Sequence, residues 1–247
     1  MLKFFSRNKT PDEQPDYSVL NTDMHSHLIP GIDDGSPDPD TSVSLIKGMM
    51  EQGYKRFIAT PHIMWDMYRN TRDIILRQRD VLRDSLKEAG MDVQVDAAAE
   101  YFLDDYVEGL LEKNEPLLTI SGSMVLVEFS MAQPSMSLKK ILFDMQMQGY
   151  QPVIAHPERY VYLDKQKDFY DELKNDGCYF QLNLMSLGGY YGKTVQELAQ
   201  YLLKKGYYDL AGTDLHNIRH LDALRNPQIT AGLAKLAGQG HLLNTKL

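Results

Sequence analysis

The sequence has a single cysteine, Cys178, among 247 residues. One thiol cannot close an internal disulfide, and no thiolate cluster is available to hold a metal. Long hydrophobic runs are also missing, since nothing approaches the roughly 20 apolar residues that cross a bilayer. The opening MLKFFSRNK is basic but lacks the apolar stretch of a secretory signal. A cytoplasmic protein with no transmembrane segment is therefore expected. Positive charge is scarce too: the net charge is −8, and no block of lysines and arginines stands out. That balance argues against nucleic acid as a partner, and against nuclease work. An anionic substrate would need a local source of positive charge, which bound metal could supply. No glycine-rich phosphate fingerprint follows the first apolar run, which weakens a dinucleotide-binding reading.

What is present is an ordinary globular composition in an ordered pattern. Residues 1–19 are rich in Pro, Asp, Lys and Gln with little periodicity, and read as a flexible N-terminal arm. The LKFF within it is an alternative docking segment. Residues 20–247 carry no repeat, low-complexity tract or linker and read as one domain. There the chain alternates short apolar runs with amphipathic segments. The runs are VLNTDMH, RFIATPH, VQVDAAAE, MVLVEF, QPVIAHP, YFQLNLM and YDLAGTDLH. Helical patterns fall at 38–53, 71–89, 104–113, 136–149, 166–177, 193–206 and 217–236. Such alternation predicts a parallel α/β sheet of about seven strands with outer helices, closed into a distorted TIM-like barrel. An open doubly wound sheet is the alternative.

The ionisable residues sit at the ends of these runs. His25 and His27 end the first, His62 the second, Glu100 the third, Glu128 the fourth and His156 the fifth. Asp214 and His216 end the seventh. In parallel α/β folds the carboxyl ends of the strands share one face, and residues two apart on a strand point the same way. Each element alone has a plain structural reading: a histidine pair on a surface, a helix-start acid, or a turn at PGIDDG or HP. Taken together, five of the seven histidines lie at strand ends, where chance would scatter them. Imidazole nitrogen with carboxylate oxygen suits Mn²⁺, Fe²⁺ or Zn²⁺ in a catalytic site. The number of candidates exceeds what one ion needs, so two or three ions sharing carboxylates are expected.

The segments DMHSHLIPGIDDG, TPH, AAAEY, VEFS, AHPERY and TDLHN resemble the signatures of the polymerase and histidinol phosphatase (PHP) superfamily. They are most similar to its bacterial protein-tyrosine phosphatases associated with capsular and exopolysaccharide synthesis. The similarity runs in order from about residue 20 to 225. It implies a PHP-fold barrel with three divalent ions, Mn²⁺ first and Fe²⁺, Zn²⁺ or Mg²⁺ as alternatives. Carried over by motif, one ion takes His25, His27, Glu100 and Asp214. A second shares Glu100 and adds Glu128 and His156. A third takes Asp34, His62 and His216, with Asp33 as the competing carboxylate. Asp23 becomes a partner of a ligand, and Arg159 the group that binds phosphate.

The resemblance further implies hydrolysis of phosphotyrosine by a metal-activated hydroxide, on a protein such as a tyrosine autokinase of polysaccharide export. A cysteine route is excluded by spacing, because Leu184 stands six positions after Cys178. The alternatives are a small-molecule phosphatase such as a histidinol phosphatase, or a regulatory PHP module without turnover. The segment after His216, NIRHLDALRN, departs from the pattern and leaves Arg219 without an assigned role. LMSLGGYYGK follows the sixth strand and is a substrate-side candidate.

Overall fold

The computed structural model describes residues 15–247. Residues 1–14, most of the expected arm, lie outside the described part. The remainder of that arm is packed: Tyr17 is buried, stacks on Tyr54 and gives its hydroxyl to the Leu224 carbonyl. Tyr17 thus packs against the domain although its neighbours in the arm are polar.

Among the described residues nine short strands occupy seven positions. They are β1 (Thr22–Asp23), β2 (Arg56–Ala59), β3 (His62–Ile63), β4 (Gln94–Ala97), β5 (Glu100–Phe102), β6 (Met124–Glu128), β7 (Gln151–Ala155), β8 (Tyr179–Asn183) and β9 (Leu210–Gly212). All named pairs are parallel, in the order β1-β2-β4 and β3-β5-β6-β7-β8-β9. The second and third runs each break in two, at Thr60–Pro61 and Ala98–Ala99, because Pro61 cannot donate to a ladder. A parallel bridge between Ser26 and Leu215 joins the first position to the last. The His27 N–H to Leu215 carbonyl bond (2.9 Å) and the Asp214 N–H to His25 carbonyl bond (2.7 Å) reinforce it. The seven positions thus close into the expected distorted barrel.

Side-chain alternation sorts the core into two parts. Met24, Ile58, Ala98, Leu126, Val153 and Leu210 form an inner plug. Their neighbours Phe57, Val95, Val125, Val127, Ile154 and Phe180 face the outer helices. Apart from Ala98, each of these buried apolar side chains contributes about 1.5–3 kcal/mol. Gln181 pairs with Ala155 and Leu210, level with the plug, and is the buried polar residue on the sixth strand position there.

The helices are α1 (Pro39–Glu51), α2 (Arg72–Glu88), α3 (Asp105–Glu112), α4 (Leu138–Met147), α5 (Asp168–Asn175), α6 (Leu184–Leu187), α7 (Lys193–Lys205), α8 (Ile218–Ala223) and α9 (Pro227–Ala237). Asp38 and Asp104 cap α1 and α3 by accepting backbone N–H groups at 2.8–3.0 Å. The segment expected as one helix at 217–236 is two. Asn226 caps a new helix with Pro227 in its first turn, and that proline would break a continuous one. The short α6 was not anticipated, since four residues carry too little periodicity to read. No helix of the described residues is long and apolar enough to cross a membrane.

Candidate metal centre

The strand closure described above is what aims the first histidine pair. Asp23, fully buried at the end of β1, accepts the Thr213 N–H (2.9 Å) and hydroxyl (2.8 Å), tying the last strand to the first. Burial raises its pKa to about 6 despite these bonds. Two residues on, His25 Nδ1 meets Gln181 Oε1 at 2.8 Å, and His27 Nδ1 meets Asp33 Oδ2 at 2.7 Å. Both acceptors fix the proton on Nδ1 and leave Nε2 as an electron-pair donor facing inward.

Four donor atoms then converge. His25 Nε2 is 3.3 Å from Glu100 Oε2 and 3.3 Å from Asp214 Oδ1. His27 Nε2 is 3.4 Å and 3.3 Å from the same two oxygens. Atoms bound about 2.1 Å from a common ion lie about 3.0–3.4 Å apart along the edges of an octahedron or tetrahedron. Around Asp34 a second set forms, with Oδ1 3.6 Å from His62 Nε2 and 3.5 Å from His216 Nε2, and His27 within the same cluster. His62 Nδ1 faces the other way, 3.2 Å from Glu100 and 3.8 Å from Glu128. His156 Nε2 lies 3.1 Å from Glu100 Oε1 and 3.6 Å from Glu128 Oε1. All nine residues singled out from the sequence therefore meet in one place, with Glu100 at the centre. His62 borders two groups rather than one. Asp33 does not enter a ligand group; it orients His27 and accepts the His62 N–H at 3.0 Å.

Hydrogen bonding tests whether this cluster fits metal. Among the described residues twelve buried side-chain polar atoms lack a hydrogen-bond partner, and five of them converge here: His25 Nε2, His27 Nε2, His62 Nδ1, Glu100 Oε2 and Glu128 Oε2. Buried polar atoms are otherwise nearly always paired. Inward lone pairs with no donor to meet them are what divalent cations satisfy, so the donor set fits.

The electrostatics say the same. Burial opposes ionisation of Glu100 and Asp214, yet the surrounding imidazoles hold both well below the usual carboxylate range. Burial and the adjacent Glu100 push Glu128 well up. Burial alone would lower His27, but Asp33, Asp214 and Glu100 outweigh it and raise it well above its ordinary value. Burial and Arg159 press His156 down to about 4. Asp34, half-exposed, falls to about 2 because His216, His62 and His27 overcome its desolvation. Protons and divalent ions compete for these atoms.

Local strain helps to aim the set. His156 (φ 32°) and Asp214 (φ 53°) are both in the left-handed region just beyond their strands. Non-glycine residues there are held by their surroundings and cluster at functional sites. Arg159 follows in a one-turn 3₁₀ segment, Pro157–Arg159. Its Nη1 donates to Asp214 Oδ2 at 2.8 Å, and its guanidinium lies 4.5 Å over the Tyr191 ring. Asn183 Nδ2 donates to Tyr191 Oη (3.1 Å) and Asp214 Oδ2 (2.9 Å), closing the ring of contacts. Above the cluster opens a cleft of about 420 Å³ whose walls include Met64, Met67, Tyr68, Met131, Tyr191 and His220. Tyr68 stacks on His62 with centroids 5.5 Å apart. Arg219 is exposed and stands outside this wall, whereas its neighbour His220 is part of it.

The supporting residues Gln181, Asn183 and Asn70 were not singled out from the sequence, and His220 stood out there only, with Arg219, as a departure from the family pattern. Gln181 and Asn183 did leave a signal, as two polar residues spaced by two in the apolar run YFQLNLM. Asn70, which donates to the Ile32 (2.9 Å) and His62 (2.8 Å) carbonyls, left none.

The family model for capsular polysaccharide synthesis, CpsB/CapC, matches residues 21–241. The chain belongs to the CpsB/CapC family. The expected resemblance thus holds over almost the whole barrel. Tyrosine-protein phosphatase CpsB of Streptococcus pneumoniae is 31% identical over 202 residues, covering 79% of this chain and 83% of that protein. Tyrosine-protein phosphatase YwqE of Bacillus subtilis (strain 168) is 28% identical over 197 residues, covering 80% and 78%. A solved structure from the pair YwqE and CpsB, described as metal-dependent tyrosine phosphatases, superposes with a TM-score of 0.78 at 26% identity. It covers 91% of this chain and 90% of its own.

Proposed function

We propose that this CpsB/CapC chain is a metal-dependent protein-tyrosine phosphatase of the cytoplasm. In this reading His25, His27, Asp34, His62, Glu100, Glu128, His156, Asp214 and His216 hold three divalent ions, Mn²⁺ in preference. Its substrate is phosphotyrosine on a protein, a tyrosine autokinase of polysaccharide export. The observation that carries it is the set of five buried, unpartnered donor atoms converging beneath one open cleft. The activity named for the relatives supplies the substrate class.

When bound, such ions supply Lewis acidity at the phosphoryl oxygens and make an attacking water acidic near neutral pH. The protein's own groups do the rest. Arg159 is fixed by Asp214 on one edge and by Tyr191 beneath its plane. Its remaining N–H groups can take two phosphoryl oxygens side by side. Met64, Met67, Tyr68 and Met131 offer apolar and aromatic surface for the phenyl ring. The tyrosine oxygen leaves with a conjugate-acid pKa of about 10, so strong acid assistance is not required. Cys178 takes no part: it is buried and its thiol is pushed up to about 12 by burial.

The test is elemental analysis of the purified protein together with metal-titrated hydrolysis of a phosphotyrosyl peptide and of histidinol phosphate. The expected result is turnover of the peptide that rises with bound metal. A marked preference for histidinol phosphate, or full turnover without metal, overturns the reading.

A further inference from the structure

The cleft wall contains one polar ring that the mechanism above does not use. We propose that His220 contacts the substrate directly, its Nε2–H donating a hydrogen bond to the phosphoryl group held by Arg159. The inference rests on the phosphatase reading for the identity of its ligand.

The hydrogen bonds around His220 assign its tautomer. His220 Nδ1 lies 3.2 Å from the His216 backbone N–H and 3.3 Å from the Asp214 carbonyl. It can accept from the first or donate to the second, but a neutral imidazole cannot do both through one nitrogen. The Asp214 carbonyl is already met by His216 Nδ1 at 2.8 Å. The His216 N–H has no other acceptor among the described residues. Satisfying every group therefore makes His220 Nδ1 the acceptor and puts the hydrogen on Nε2. That atom makes no hydrogen bond among the described residues, and the ring it belongs to lines the cleft.

The ring is also held. Tyr190 meets it edge-on with centroids 5.2 Å apart, and His216 does so at 5.4 Å. Asn217 Oδ1 accepts the backbone N–H of Arg219 (3.0 Å) and lies 3.4 Å from that of His220, fixing the turn from which the side chain projects. A fixed neutral donor in the wall shared with Arg159 suits a phosphate oxygen. It adds a hydrogen bond without adding charge beside the metal cluster.

Two substitutions separate this role from a structural one. Asn at 220 sets a carboxamide oxygen where Nδ1 lies, so it can still accept the His216 N–H, but it has nothing at Nε2. Gln at 220 carries an amide N–H near the Nε2 position and loses the Nδ1 contact. Calorimetric binding of inorganic phosphate to the metal-loaded protein, with KM and kcat on a phosphotyrosyl peptide, reads the difference. His220→Asn should bind phosphate about tenfold or more weakly. His220→Gln should stay within a few-fold of the parent. Phosphate affinity within twofold of the parent in His220→Asn overturns the proposal, as does a loss confined to His220→Gln. If the parent protein binds phosphate but does not turn over the phosphotyrosyl peptide, the substrate reading fails, while a tenfold loss in His220→Asn still supports the donor.

Discussion

Glu100 and Glu158 are both fully buried carboxylates at the same end of the barrel, and they are satisfied in opposite ways. Glu158 accepts the Asn183 N–H (2.9 Å), the Ser186 hydroxyl (2.8 Å) and the Tyr208 hydroxyl (3.0 Å). Its partners are neutral donors, and burial lifts its pKa to about 7. Glu100 faces His25, His62 and His156, and its Oε2 has no hydrogen-bond partner. Two of the rings around that oxygen, His25 and His27, have Nδ1 engaged elsewhere, and the Nε2 of each is without a hydrogen-bond partner. Burial therefore does not distinguish a ligand from a brace; the chemistry of the neighbours does. Neutral donors complete Glu158 within the protein, whereas Glu100 and its imidazoles are left with lone pairs that cations would complete. The brace serves the site all the same. Glu158 ties the turn carrying Arg159 to β8 and α6, and so to Asn183, which bonds Asp214.

The largest effect that this contrast predicts is on Glu100. Glu100→Gln removes the acid shared by two of the three ligand groups and leaves the volume unchanged. Removing a group that merely orients a metal ligand costs about 10–100-fold in affinity or activity. Loss of the central ligand should exceed that, with metal content falling in elemental analysis. The fold should persist, with native circular dichroism and a cooperative melt, because the substitution removes a buried charge rather than a packed surface. Glu158→Ala should behave the other way round. It strands three buried donors, each worth about 1–3 kcal/mol when left unpaired. Chemical denaturation should record a loss of about 3 kcal/mol or more, while metal stoichiometry stays at the parent value. Metal loss without destabilisation in Glu158→Ala, or unfolding in Glu100→Gln, breaks the comparison.

The same contrast explains which parts were legible in the sequence. The candidate ligands are ionisable residues interrupting apolar runs at their ends, so His25, His27, His62, Glu100, Glu128, His156, Asp214 and His216 announce themselves by type and position. Asp34 needed the motif as well, since Asp33 is its equal in composition; only the geometry gives Asp33 to His27 and Asp34 to His62 and His216. The bracing residues were not legible in the same way. Asn70 and Ser186 are polar side chains whose bonds run to residues distant in the chain or to backbone groups, and sequence spacing carries no trace of such pairs. The barrel followed from the strand–helix alternation, but its closure rests on the Ser26–Leu215 bridge, which is a contact across 189 positions and has no local signature. Pro227 was visible and ends a helix on general grounds; the amphipathic pattern running through 217–236 outweighed it.

Asp96 extends the comparison to an acid whose partners are charged but whose site is open to water, and it should give the smallest effect. Its Oδ2 accepts from Arg56 (2.7 Å) and Gln94 (2.7 Å), and its Oδ1 from Arg83 (2.7 Å). Partial burial opposes ionisation, but Arg56, Gln94 and Arg83 overcome it and lower the pKa below 3.8. A carboxylate held lower in the folded than in the unfolded chain stabilises the fold above the unfolded value. That contribution disappears as pH falls through the folded value. Solvent screening keeps it below about 1 kcal/mol. Denaturation of the parent and of Asp96→Asn across an acid series should give a small difference that is constant near neutrality, shrinks below pH 3.8 and is reduced by salt. A difference that grows on acidification, or one as large as that of Glu158→Ala, would mean that charged partners matter more here than burial does, and the ordering of the three acids would have to be reversed.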